Sequence, residues 1–122
     1  MAIPTQYQTV IPYLLLKDVL GFLDFVRELF DAEIVHRHMH DDTHVAHAEI
    51  KIGNATIMCG TSNEEWPPMH SSLFIYVEDA DISYQKALTL GASGVMELSN
   101  QDYGRTCGVK DMYGNTWWIT SV

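Results

Sequence analysis

The chain has 122 residues, the length of one ordinary domain, and its 47% hydrophobic and 19% charged content suits a folded core and excludes a disordered polymer. Sixteen acidic residues against seven basic ones leave a net charge of −9, and Lys and Arg are scattered, so nucleic-acid binding is disfavoured. The longest apolar run, Ile11 to Leu16, falls far short of the roughly 18 residues of a membrane span, and no basic segment leads into a hydrophobic stretch at the N-terminus, so no membrane partner and a cytoplasmic location are expected.

The first candidate strand spans 9–17 and closes on Lys17-Asp18, where the acid is placed to cap a helix over 18–30. In that helix Leu20, Leu23, Val26, Leu29 and Phe30 recur on one side, with Asp24, Arg27 and Glu28 on the other. Strands are expected at 33–40, 44–52 and 55–60, the last two joined by Gly53-Asn54, a pair suited to a tight hairpin. Thr61 to His70, interrupted by Pro67-Pro68, reads as a linker. The order then repeats: strand 71–78, helix 79–90 behind Asp79, strands 94–98, 104–111 and 115–121. Ile82, Ala87, Leu88 and Leu90 are the expected inward side of the second helix, and Gly91 its stop. Asp18 recurs as Asp79 and Gly53-Asn54 as Gly114-Asn115, each 61 positions on, while Phe30-Asp31-Ala32 recurs as Leu90-Gly91-Ala92 at a spacing of 60. One strand, helix and three-strand unit is thus used twice, as module 1 over about 1–60 and module 2 over about 71–122 of a single α+β domain, 1–122.

Strand alternation assigns side chains to faces. Ala46, Ala48, Ile50 and Ile52 suit a helix-covered side, with Val45, His47, Glu49 and Lys51 opposite. Leu14 and Leu16 go under the helix, Ile11, Tyr13 and Leu15 away from it. In the second half Leu73, Ile75 and Val77 lie under the helix, leaving Ser72, Phe74 and Tyr76 opposite; Trp117 and Ile119 share one face, Thr116, Trp118 and Thr120 the other. A curved sheet leaves its helix-free face concave, a place for a small molecule. There Glu49 is either a ligand-contacting acid, such as a general base with raised pKa, or a structural partner of Arg105 or His47. Tyr13, Phe74 and Trp118 are either core aromatics or a stacking surface. Tyr103 and Arg105 either close over the cavity or brace their hairpin, and Trp66 is a lid or a dimer contact. Five of the six histidines fall at 36, 38, 40, 44 and 47, which makes either a divalent-metal site with Glu49 or the polar dressing of a hairpin. Cys59 and Cys107 lack a CxxC spacing and read as small buried hydrophobes.

The segments PYLLLKDV, HAEIKIGNATIM, VEDAD, LGAS and YGRTCGVKDMYGNTWWI resemble the vicinal oxygen chelate superfamily of glyoxalases, bleomycin-resistance proteins and extradiol dioxygenases, in its PhnB-like or glyoxalase-like branch. Met112 stands where that branch has proline. The resemblance implies two βαβββ modules forming a curved mixed sheet around a cavity, helices on the outer face, and a homodimer. In metal-dependent members it also implies four coordinating positions on the first and last strands of the modules. Here they fall on Ile11 or Pro12, Glu49, Ser72 and Trp118, of which only Glu49 is a carboxylate. The expectation is therefore a small-molecule binding protein with no metal or other cofactor, sequestering an antibiotic or other planar compound. Tyr13, His47, Glu49, Ser72, Phe74, Tyr103, Arg105 and Trp118 are the expected ligand-binding residues. The alternatives are a metal-dependent lyase, isomerase or dioxygenase that holds a divalent ion through Glu49 and His47, and a metal-free enzyme in which Glu49 takes a proton beside a carbonyl.

Overall fold

Asp18 and Asp79 each open a helix by accepting a backbone N–H three residues on, from Gly21 at 2.9 Å and from Ile82 at 3.1 Å. Around them a computed structural model, which describes all residues from Met1 to Val122, repeats one order of elements. The unit Met1–Met69 contains β1 (Tyr13–Leu16), α1 (Val19–Phe30), β2 (Glu33–Met39), β3 (Val45–Ile52) and β4 (Ala55–Thr61). The unit His70–Val122 contains β5 (Ser72–Tyr76), α2 (Ala80–Thr89), β6 (Ser93–Gln101), β7 (Gly104–Lys110) and β8 (Thr116–Ser121). In each unit the first strand pairs parallel with the last and the other pairings are antiparallel, giving the orders β1-β4-β3-β2 and β5-β8-β7-β6. The fold is α+β, made of two βαβββ modules, as the repeat implied. No helix is long and apolar enough to cross a membrane.

The helices end alike, which the 60-residue spacing of their closing tripeptides foreshadowed. Asp31 and Gly91 both take positive φ, 54° and 108°, and the alanine after each donates its N–H back into the last turn, Ala32 to Val26 and Ala92 to Ala87. Their inner faces differ. α1 buries Val19, Phe22, Leu23, Phe25, Val26 and Leu29 against its sheet, each large side chain contributing about 1.5–3 kcal/mol on burial. The expected face is corrected by a small rotation: the stripe starts at Val19, so Phe22 and Phe25 go inside while Leu20 and Phe30 stay partly exposed. α2 buries only Ala80 and Ala87. Ile82, expected inside, is exposed, because it stands about 200° round the helix from Ala80. The alanines let α2 lie close to its sheet, where Trp117, 1% exposed, fills the core with Val109 and Ile119.

Two bulges shape the β2–β3 pair. Ile34 faces Ile50 but His36 faces Glu49, so Val35 is extra on β2; His38 faces His47 but Met39 faces Val45, so Ala46 is extra on β3. The second bulge reverses the expected parity at the start of β3: Val45 is fully buried and Ala46 exposed. Residues 62–69 stay with the first unit, through Ser62 N–H to Leu16, Asn63 N–H to Trp66 and Met69 N–H to Leu15.

Candidate functional site

In the first unit the register places Tyr13, Met58, Glu49 and His36 in one row across β1, β4, β3 and β2. Glu49 is nearly buried, and both its oxygens are engaged. The Tyr7 hydroxyl donates to Oε1 at 2.5 Å, and His47 Nε2 stands 2.8 Å from Oε2. In the neutral ring that leaves His47 Nδ1 as acceptor for the Tyr13 hydroxyl, 3.0 Å away. His36 adds a ring 5.9 Å from His47. The Tyr7 hydrogen bond, then the His47 hydrogen bond, hold the Glu49 carboxyl below its ordinary value, so it is an ionised acceptor. This corrects the expectation of a base with raised pKa: burial does push upward, but two donors outweigh it. Of the two structural partners considered, the acid has His47. Arg105 is instead held by Asp81 at the start of α2, at 2.9 Å, and by Asn100 at 3.5 Å.

A glycine makes the Tyr13 contact possible. A Cβ at Gly60 would come within 2.8 Å of the Ala46 carbonyl and 3.2 Å of the Tyr13 hydroxyl. The same device serves the second unit, where Trp118 lies across Gly108; a Cβ there would come within 2.6 Å of the indole. The other end of that indole is fixed by Trp118 Nε1 donating to Ser72 Oγ at 2.8 Å. Phe74, the register partner of Trp118, meets Tyr76 edge-on at 5.2 Å and Tyr103 at 6.3 Å between ring centres. Phe74 is 52% and Tyr76 65% exposed, so this side of the sheet is an aromatic surface open to water, not core. The helix side holds Trp117, whose indole N–H donates to buried Asp111 at 2.9 Å.

The remaining histidines do not gather round Glu49. His38 faces His47 across the ladder, while His40 and His44 lie at the hairpin tip, where Asp41 accepts from the Thr43 and His44 backbone N–H groups and meets the His44 ring at 2.9 Å. Those bonds hold Asp41 far below the usual carboxylate range. An open cleft of about 450 Å³ lies beside this tip, between His40, Asp41, His44 and the stretch Thr61, Ser62 and Asn63. Burial pushes the Cys59 thiol up to about 12 and Cys107 to about 11, so neither is a nucleophile at neutral pH.

The donor set does not fit a divalent ion. Glu49 belongs to β3, the third strand of its module, which corrects its placing among the coordinating positions; the last-strand residue in its row is Met58, as Trp118 is in the row of Phe74. Ile11, Met58, Ser72 and Trp118 supply no carboxylate or imidazole, and Ser72 Oγ already accepts the indole N–H. No three His, Cys, Asp or Glu side chains form a group that could hold a metal ion. Sequence reasoning missed Tyr7, which precedes any periodic segment, and Met58. Gly60 and Gly108 did leave a signal, as glycines inside apolar strands.

A βαβββ unit used twice, with its polar and aromatic side chains on the helix-free faces, is the plan of the vicinal oxygen chelate proteins. Residues 12–119 match the Glyoxalase/Bleomycin resistance protein/Dioxygenase superfamily, and the chain belongs to it. An uncharacterized protein of Mycobacterium bovis is 29% identical over 121 residues, taking in 87% of this chain and 78% of the relative. Among solved structures, TioX from Micromonospora sp. ML1 aligns with a TM-score of 0.77 at 21% identity, over 93% of this chain and 98% of TioX. TnmS3, an antibiotic binding protein from Streptomyces sp. CB03234, aligns with a TM-score of 0.74 at 17% identity, over 99% of this chain and 98% of TnmS3. At these identities the likeness establishes the fold.

Proposed function

We propose that the protein binds a flat, aromatic, antibiotic-like small molecule on the open face of the β5-β8-β7-β6 sheet, and that it does so without a resident metal ion or other cofactor. The observation that carries this reading is Trp118, an indole laid over Gly108 and pinned by Ser72, at a position that the family resemblance marks for a metal ligand. An aromatic surface held in one orientation loses little freedom when a ring stacks on it. The antibiotic-binding name of TnmS3 favours the same ligand class by analogy of fold. Glu49 supports binding over proton abstraction, because a carboxylate stabilised by two donors is a weak base near neutral pH. The net charge of −9 suits a neutral or cationic guest. In this reading Tyr13, His47, Phe74 and Tyr103 also line binding surfaces, Arg105 braces its hairpin, and the protein works in the cytoplasm, in keeping with two free buried thiols, as a homodimer.

Titration with bleomycin and with planar aromatic antibiotics, followed by tryptophan emission, tests the reading. The native chain is expected to show saturable quenching by at least one compound, and Trp118→Ala to bind it at least about tenfold more weakly, equivalent to about 1.4 kcal/mol. Metal analysis of protein without a histidine tag is expected to find much less than one divalent ion per chain. Unchanged affinity in Trp118→Ala, or one ion per chain that Glu49→Ala removes, would overturn it.

A further inference from the structure

The first unit carries a site that the aromatic surface of the second does not use, and its acid is already satisfied by the chain itself. Three members of the hydrogen-bonded chain Tyr7, Glu49, His47 and Tyr13 stand on strands, and one does not. Tyr7 belongs to the stretch ahead of β1, which has no helix or strand and whose first six residues are exposed. Its neighbours clamp it at the edge of β4 beyond the start of β1: the Gln8 side-chain amide donates to the Thr56 carbonyl at 2.8 Å and accepts the Thr56 N–H at 3.2 Å, and Thr56 Oγ1 donates to the Gln6 carbonyl at 3.1 Å. These clamps aim one phenol at one oxygen of a nearly buried carboxylate.

We propose that Tyr7 is a self-supplied occupant of a phenol-binding site, and that a hydroxylated aromatic molecule enters by taking the place of the Tyr7 ring on Glu49. A buried carboxylate left with one donor is costly, so whatever displaces Tyr7 must bring a donor of its own, and a phenol O–H reproduces the bond that is lost. Flat rings fit the surroundings, since Tyr13 and His47 lie 5.5 Å apart and His36 follows at 5.9 Å, an aromatic rim beside the acid. The strap then sets affinity: the site binds only in the fraction of molecules in which Tyr7 has let go. The proposal rests on the small-molecule reading above and adds to it a ligand class and a second locus.

The test compares 2-naphthol with 2-methoxynaphthalene, the same ring without the donor, by calorimetry on the full chain. 2-Naphthol is expected to bind at least about tenfold more tightly than its methyl ether, as one hydrogen bond to a charged acceptor implies. Tyr7→Phe, which removes the competing hydroxyl, is expected to tighten 2-naphthol binding at least about threefold, and Gln8→Ala, which loosens the clamp without touching Glu49, to act in the same direction. In protein labelled with ¹³C at the tyrosine ζ carbon, 2-naphthol should move the Tyr7 signal, assigned by its absence in Tyr7→Phe, toward that of a free tyrosine. Equal binding of the two probes, or weaker or unchanged binding of 2-naphthol in both variants, would overturn the proposal. Naphthol binding that follows Tyr7 and ignores Trp118→Ala upholds the inference while the aromatic-surface reading fails; antibiotic binding that needs Trp118 alongside naphthol binding indifferent to Tyr7 does the reverse. No binding of any probe overturns both.

Discussion

The hydroxyl of Tyr7 and the ring of His47 stabilise the charged form of Glu49, so the contribution of this acid to stability runs with pH. Its folded pKa lies below the ordinary 4.5, so the stabilisation is complete above that value and is lost as pH falls through the lowered folded pKa. Tyr7→Phe removes the largest cause of the depression. The variant is therefore expected to be less stable than the native chain at pH 7, and the gap should narrow toward pH 3, as falling pH protonates the carboxyl and removes the charge that the hydroxyl serves. Urea denaturation at the two pH values measures this; a gap that widens in acid would contradict the assignment. Glu49, His47 and Tyr13 were legible as sharing the helix-free side from strand alternation alone. The sign of the Glu49 shift was not, because it depends on a tyrosine 42 positions away in an irregular segment that no periodicity marks.

At the scale of elements, helix starts and stops were the most readable features, since a cap is a local event: one side chain meets one N–H three residues on. Removing the cap oxygen by Asp18→Ala or Asp79→Ala should cost about 1 kcal/mol each, read from urea midpoints, while Asp→Asn at either position should cost a few tenths. A loss at Asp18 no greater than at an exposed non-capping acid such as Asp42 would show the bond to be idle. Strand faces were readable wherever strict alternation held, as for Leu14, Leu16, Trp117 and Ile119, all buried. They failed at Val45 and Ala46, because a bulge is fixed by the partner strand and leaves no mark in the bulged one. Ile82 misled for another reason: hydrophobicity alone favours burying it, but the small inner line of α2 turns it to water.

For the molecule as a whole, the duplication explains why so much of the plan was visible. Two copies of the same order of elements gave two independent readings of each cap and hairpin, and equivalent positions could be checked against one another. What duplication hides is where the copies have diverged. Row for row, Tyr13, Met58, Glu49 and His36 answer to Phe74, Trp118, Gly108 and Met96, so a polar, acid-centred row stands in one unit and an aromatic one in the other.

The two helices have diverged as well. α1 puts six side chains, among them two phenylalanines, out of reach of solvent, whereas α2 puts away two methyl groups. Equal architecture therefore conceals unequal resistance to opening, and deuterium uptake in native conditions should expose it: the amides of α2 are expected to exchange at least about tenfold faster than those of α1, a difference mass spectrometry of peptic fragments resolves. Equal protection in the two helices would mean that something other than their own buried surface guards the second. Faster exchange in α2 would identify the half of the chain that yields first, and so the half in which sequence can change at least cost to the rest.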